Sequence, residues 1–254
     1  EYKVRMQAKK SLDAMKDAIK VGLNSTEKSP SGLSGDDCYK LQKSKAGSLL
    51  GETAYKMMTY ALATSEQNLR MGTIVACPTA GSCGIVPAVL VAYAEDNNIK
   101  EGEQINALIT AGEVGRLVSN KMALAGAVGG CQAECGVASA MAAAALTQMR
   151  GGNVSQIINS VALALKNILG LTCDPVCGLV EIPCVKRNPF LAIHAVTASD
   201  LAMADITSVI PIDEIVDAME QTGQLMSPLL KESSQGGLAK TKTAVMLEKK
   251  ILGK

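Results

Sequence analysis

Eight cysteines stand at positions 38, 77, 83, 131, 135, 173, 177 and 184. Four of them form two Cys-x3-Cys pairs, Cys131 with Cys135 and Cys173 with Cys177. On a helix that spacing puts two thiols on one face. A free cysteine is usually a small buried hydrophobe, and any one of these taken singly fits that description. As a group they fit it less well, because their neighbours are turn formers. The Asp174-Pro175 step biases the chain away from helix, so Cys173 belongs to a turn. Pro183 sets Cys184 beside a rigid bend, and Cys131 follows Gly129 and Gly130. Cys131, Cys173 and Cys184 are thus placed as ligands are placed, on loops that a scaffold holds still. Zinc favours four close ligands, often in Cys-x2-Cys knuckles, and neither pair has that spacing. Iron-sulfur clusters take thiolates from well-separated loops. Spacing alone does not decide between them.

The rest of the composition narrows the setting. In 254 residues, 25 Lys plus Arg face 24 Asp plus Glu, a net charge of +1. That balance argues against nucleic acid as a partner, which calls for a concentrated basic surface. Hydrophobic residues make up 48% of the chain but aromatics only 2%, with no Trp and one Phe, so Ala, Gly, Val, Leu, Ile and Met must fill the core. Small side chains let helices approach closely, and Ala is the best helix former. Recognition by aromatic stacking is disfavoured by the same numbers. The uncharged stretch from Met71 to Ala94 is long enough to span a bilayer, but Gly72, Pro78, Gly81, Gly84 and Pro87 would leave backbone groups unpaired in lipid. A buried loop plus helix, with no membrane, is the expected arrangement. Glu1–Ala8 is charged and lacks the apolar core of a secretory signal, so a reducing, cytoplasmic compartment is expected. With no Met at position 1, the numbering is expected to begin inside a longer natural protein.

The elements that must position the thiols read as helices. Residues 1–22 carry Val4, Leu12, Met15, Ile19 and Leu23 roughly on one face, and Ser25–Asp37 breaks the pattern. Helices are expected over Ser44–Arg70, after Gly84 with Pro87 in the first turn, and over Glu103–Met122, Gln132–Met149, Val154–Leu169, Pro189–Ala204 and Ile212–Met226. Asn153 or Ser155 would cap the helix that begins at Val154. Strand-like alternation never persists, so the fold expected is all-α: a single compact helical domain over 1–254, with Gly/Pro-rich loops at 126–130, 170–184 and 233–237 carrying the candidate ligands.

The stretches CPTAGSCGIVPAVL at 77–90, AGAVGGCQAECG at 125–136, LGLTCDPVCGLVEIPCVKRN at 169–188 and SSQGGLAKTKT at 233–243, with SPSGLSGDD from Ser29, closely resemble the α chain of bacterial iron-sulfur-dependent L-serine dehydratase. The resemblance spans almost the whole chain. It implies that Cys131, Cys173 and Cys184 hold a four-iron, four-sulfur (4Fe-4S) cluster, and it gives no ligand role to Cys135 or Cys177. Three thiolates on four irons leave one iron open as a Lewis acid. The implied reaction is loss of the L-serine hydroxyl and α-proton to give aminoacrylate, which tautomerises and is hydrolysed to pyruvate and ammonia. For Cys77 and Cys83, beside the PTAG turn, packing is at least as good an account.

On that reading the serine substrate needs partners. Thr79, Gly81 and Ser82 offer hydroxyl and backbone donors ahead of a helix start, a cradle for a carboxylate, although packing alone would also account for a tight turn there. Arg187 and Asn188 would orient substrate or reach cluster sulfurs. Ser233, Ser234, Gly236 and Gly237 form a small-residue loop able to close over the site, and Gln132 and Glu134 flank the first ligand as supports. His194, the only histidine, sits mid-helix in LAIHAV, where a satisfied structural role is the better account. Abstracting an α-proton calls for a positioned base, most often His. A β chain, which the family pairs with this α chain, is therefore expected to complete the site. Two rivals remain: a related iron-sulfur lyase such as a cysteine desulfidase, and a non-catalytic metal-binding or redox-sensing subunit. A pyridoxal-phosphate enzyme is disfavoured, since no glycine phosphate cup accompanies a Schiff-base lysine.

Overall fold

The structure, a computed structural model, describes residues 2–44 and 46–253. Among them are eleven α-helices and no β-strand: α1 (Tyr2–Leu23), α2 (Asp37–Lys43), α3 (Glu52–Leu69), α4 (Ile85–Asp96), α5 (Glu101–Ser119), α6 (Gly126–Gly129), α7 (Val137–Met149), α8 (Val154–Lys166), α9 (Cys184–Met203), α10 (Ile212–Leu225) and α11 (Lys242–Leu252). The all-α expectation holds. None of these helices is long and apolar enough to cross a membrane.

Burial explains the arrangement. Helix α7 is apolar all round, and every residue from Val137 to Thr147 is buried. A helix with no polar face has to sit inside. It packs against α4, α5, α8 and α9, and α3 closes the other side against α1, α4 and α9. Small residues set the spacing. Gly22 of α1 lies so close to the Ala63 carbonyl of α3 that a Cβ would collide with it. Outer helices are amphipathic, as in α10, which turns Ile215, Val216, Met219 and Gly223 inward. One principal core joins these elements.

Several boundaries differ from the sequence expectation. The helix expected from Ser44 begins at Glu52, because Gly47 and Gly51 take positive φ; Lys45 lies outside the described residues. Helix α9 begins at Cys184, so Pro189 falls in its second turn instead of at its start. Gly126–Gly129 makes one helical turn, and Gln132–Gly136 is a wide π turn that leads into α7. Helices α2 and α11 were not expected. Val4 points outward at 56% exposure, so the inward face of α1 starts beyond it. Asn153 does cap α8, accepting from Gln156 N at 3.0 Å while the Gln156 side chain returns to Asn153 N.

Candidate active site

Gly130 turns the chain with φ 77°. A Cβ there would stand 2.9 Å from Leu171 O and 2.8 Å from the Met226 side chain, so both the left-handed turn and the close approach call for glycine. Cys131 emerges from this turn. Behind it Gln132, fully buried, donates Nε2 to Met219 O at 2.9 Å and accepts from Gly170 N at 2.9 Å, and its own N–H reaches Leu171 O at 3.0 Å. One amide thus ties the first thiol to α10 and to the loop of the second.

Cys173 is fixed through its backbone. Its N–H donates to Leu230 O at 2.9 Å and its carbonyl accepts from Glu232 N at 2.6 Å, a single parallel bridge to Lys231. Cys184 opens α9, and the turn leading into it closes when Val185 N donates to Glu181 O at 3.0 Å. All three thiols are buried.

They are close enough to feel one another's charge. The Cys135 thiol and then the Arg187 guanidinium hold Cys131 below the ordinary thiol range. Burial pushes Cys184 up to about 12 and also raises Cys173, with negative charge from Cys131 adding to both shifts. Cys131 is therefore the most readily ionised of the three, and a metal would displace protons from Cys173 and Cys184. No three His, Cys, Asp or Glu side chains among the described residues close to the spacing of a single-ion site. A cluster is larger than an ion and takes thiolates set further apart, so this donor set is compatible with it. Gly126 keeps space clear: a Cβ there would meet the Glu134 carboxylate and stand 2.9 Å from Cys173 Sγ.

Two charged groups complete the surroundings. Arg187 donates from Nη1 to Thr172 O at 2.8 Å and from Nη2 to Asp174 Oδ1 at 2.9 Å, and it also faces Cys131. Glu134 projects from the π turn, a form of helix frequent at functional sites. Burial raises its carboxyl against the pull of the Thr79 hydroxyl and Gly126 N–H, and Oε2 stands 3.9 Å from Cys173 Sγ.

The other residues singled out in the sequence fall into three groups. Thr79 joins the cysteines through Glu134, and Gly81 lies beside Thr79 and Glu134. Ser82 is fully buried, with its hydroxyl turned to Cys77 O and Thr79 O, each at 3.3 Å. Asn188 also serves this turn, accepting from Gly84 N at 2.9 Å and donating to Gly81 O at 2.8 Å. Ser234 and Gly236 sit on the outer side of the second-ligand loop, with Ser234 Oγ donating to Pro175 O at 2.8 Å and Gly236 packed on Leu229 O. Cys177 turns away into a small cluster with Ala244 of α11. His194 is held by Ala164 O of α8 at 2.9 Å. Sequence reasoning missed the anchoring roles of Asp174 and Glu181. The available signal was the isolated acid in each of two otherwise apolar turns, TCDPVC and GLVEIP.

An apolar cavity of about 780 Å³ lies elsewhere, between α1 and α5, and touches the PTAG segment only at Cys77 and Pro78. It offers few polar groups, so the chemistry is better sought at the cysteines.

The family described as serine dehydratase alpha chain matches residues 1–239. The chain belongs to that family. It is 49% identical over 245 residues to a probable L-serine dehydratase alpha chain of Bacillus subtilis (strain 168), covering 96% of this chain and 81% of that one. It is 46% identical over 205 residues to the L-serine dehydratase alpha chain of Peptoniphilus asaccharolyticus, covering 81% and 70%. Against L-serine dehydratase TdcG of Escherichia coli (strain K12) it is 42% identical over 182 residues, covering 71% of this chain but 40% of that protein. The serine dehydratase family match includes all three candidate ligand cysteines and the PTAGSCG turn.

Proposed function

We propose that this chain is the catalytic α chain of an iron-sulfur L-serine dehydratase, a lyase that converts L-serine to pyruvate and ammonia in the cytoplasm. The observation that carries the proposal is the meeting of three buried thiols, from three separate segments, with Arg187 and Glu134. Cys131, Cys173 and Cys184 would hold a 4Fe-4S cluster. When bound, such a cluster supplies an open iron that acts as a Lewis acid on the serine hydroxyl.

The chain's own residues do the rest. Arg187 adds to the Cys135 thiol in easing ionisation of the Cys131 sulfur, and it holds the loop of Cys173 through Thr172 O. Thr79 and the Gly81 amide receive the substrate carboxylate, and Ser82 shapes that turn from within. Ser234 and Gly236 fasten the outer loop and help keep water out. Glu134, between Thr79 and Cys173, keeps a proton on its carboxyl to higher pH than an exposed glutamate does.

The α-proton needs a base, and His194 is committed to Ala164 O. A β chain therefore completes the pocket. That the match covers only 40% of the Escherichia coli relative supports a second module there. Anaerobic purification, cluster reconstitution and a pyruvate assay with L-serine, with and without the β chain, test the reading. Turnover should require both the cluster and the partner. Full activity of the isolated chain, lost on His194→Ala, would make His194 the base instead.

A further inference from the structure

The SPSGLSGDD segment plays no part in the site described so far, yet it touches the segment that bears Cys184. Glu181 is buried at 5% exposure, and both of its carboxylate oxygens are taken by hydroxyls of that segment. Ser29 Oγ donates to Oε2 at 2.7 Å and Ser31 Oγ to Oε1 at 2.7 Å. Each hydroxyl is itself aimed by a backbone donor, Ser34 N on Ser29 Oγ at 3.4 Å and Leu33 N on Ser31 Oγ at 3.1 Å. Such relays strengthen one another in a dry interior. Among the described residues no cation pairs with Glu181. A buried carboxylate without a counter-ion depends on its hydrogen bonds for the energy lost with water. Two donors on two oxygens set both the depth and the rotation of the group.

The backbone of the same residue connects this clamp to the third thiol. Glu181 O accepts Val185 N at 3.0 Å, which closes the turn leading into α9, and Val176 N donates to Ile182 O at 2.8 Å. Cys184 lies inside that turn. On its far side the 27–37 segment is anchored to α3 and its C-terminal cap, through Arg70 Nε to Glu27 O at 3.0 Å and through Glu66 Oε1, which accepts Asp37 N at 2.7 Å.

We propose that Glu181, clamped by Ser29 and Ser31, is the positioning residue for Cys184, holding the turn that leads into α9 so that this thiol faces Cys131 and Cys173. The inference deepens the cluster proposal and rests on it for the meaning of Cys184, but its test does not need a cluster.

In the metal-free full-length chain, alkylation of each cysteine is followed by mass spectrometry. Glu181→Ala should speed labelling of Cys184 roughly tenfold or more, because two charge-assisted bonds no longer oppose local opening. Cys83 and Cys131 should keep their rates. Glu181→Gln, which can still accept from one hydroxyl and donate to the other, should fall between the two. Ser31→Ala removes one arm only and serves if Glu181→Ala does not fold. After anaerobic reconstitution, iron and sulfide per chain should drop in the same order. Cys184 labelling that stays unchanged in both Glu181→Ala and Ser31→Ala, or rises only in step with Cys83 and Cys131, overturns the proposal. If the unaltered chain takes up no cluster while Cys184 still responds, the cluster reading fails and the positioning role stands.

Discussion

Arg187 donates through Nη2 to Asp174 Oδ1 at 2.9 Å, with both side chains largely buried. The other oxygen of the same carboxylate, Oδ2, accepts Leu238 N at 2.9 Å. One acid thus joins the arginine beside Cys131 to the loop that follows Ser234 and Gly236. Asp174→Ala takes the carboxylate partner from the largely buried Arg187 guanidinium, a loss of about 3 kcal/mol. Urea unfolding of the metal-free chain should show it. Asp174→Asn, which keeps a neutral acceptor for Arg187, should lose less.

Changing Cys131, Cys173 or Cys184 to Ser should remove the visible absorption of the reconstituted protein and pyruvate formation together. Cys177→Ser, on the α11 side of its loop, should leave both. A Cys184→Ser protein with full iron and sulfide would reassign the third ligand.

Thr79→Ala removes a hydroxyl that reaches Glu134 and Ser82. Iron content should stay, and KM for L-serine should rise by roughly ten- to a hundredfold, the worth of a hydrogen bond to a carboxylate at about 1.5–3 kcal/mol. Iron falling in proportion to activity would make the turn a support of the cluster.

Alkali should unfold the chain through its buried thiols. Burial raises Cys38 and Cys83 from 9.0 to about 12. The folded state keeps protons that the unfolded state releases, so their contribution to stability is complete below pH 9.0 and is lost progressively as pH rises toward about 12. The urea midpoint should fall across that window, and Cys38→Ala should make the fall shallower.

The fold class was legible because α7 and α4 announce themselves as runs of Ala, Val, Leu and Met. The thiol-bearing turns were legible because Gly130, Pro175 and Pro183 punctuate the chain there. Helix α2 was hidden: its first N–H groups are met by Glu66, a carboxylate 28 and 29 residues further along. The Glu181 clamp was hidden for the same reason, since its partners lie 150 and 152 residues away. Periodicity reports what a residue does within its own turn, and these residues act across the chain.

The bridge between Cys173 and Lys231 also bears on how the protein is made. Cys131, Cys173 and Cys184 have all been synthesised before Leu230 and Glu232, which fix the backbone of Cys173. A nascent chain halted short of that segment would carry every thiol and still lack the contacts that place one of them. The three sulfurs acquire their full arrangement only after the segment around Leu230 and Glu232 has been made and has docked beside Cys173.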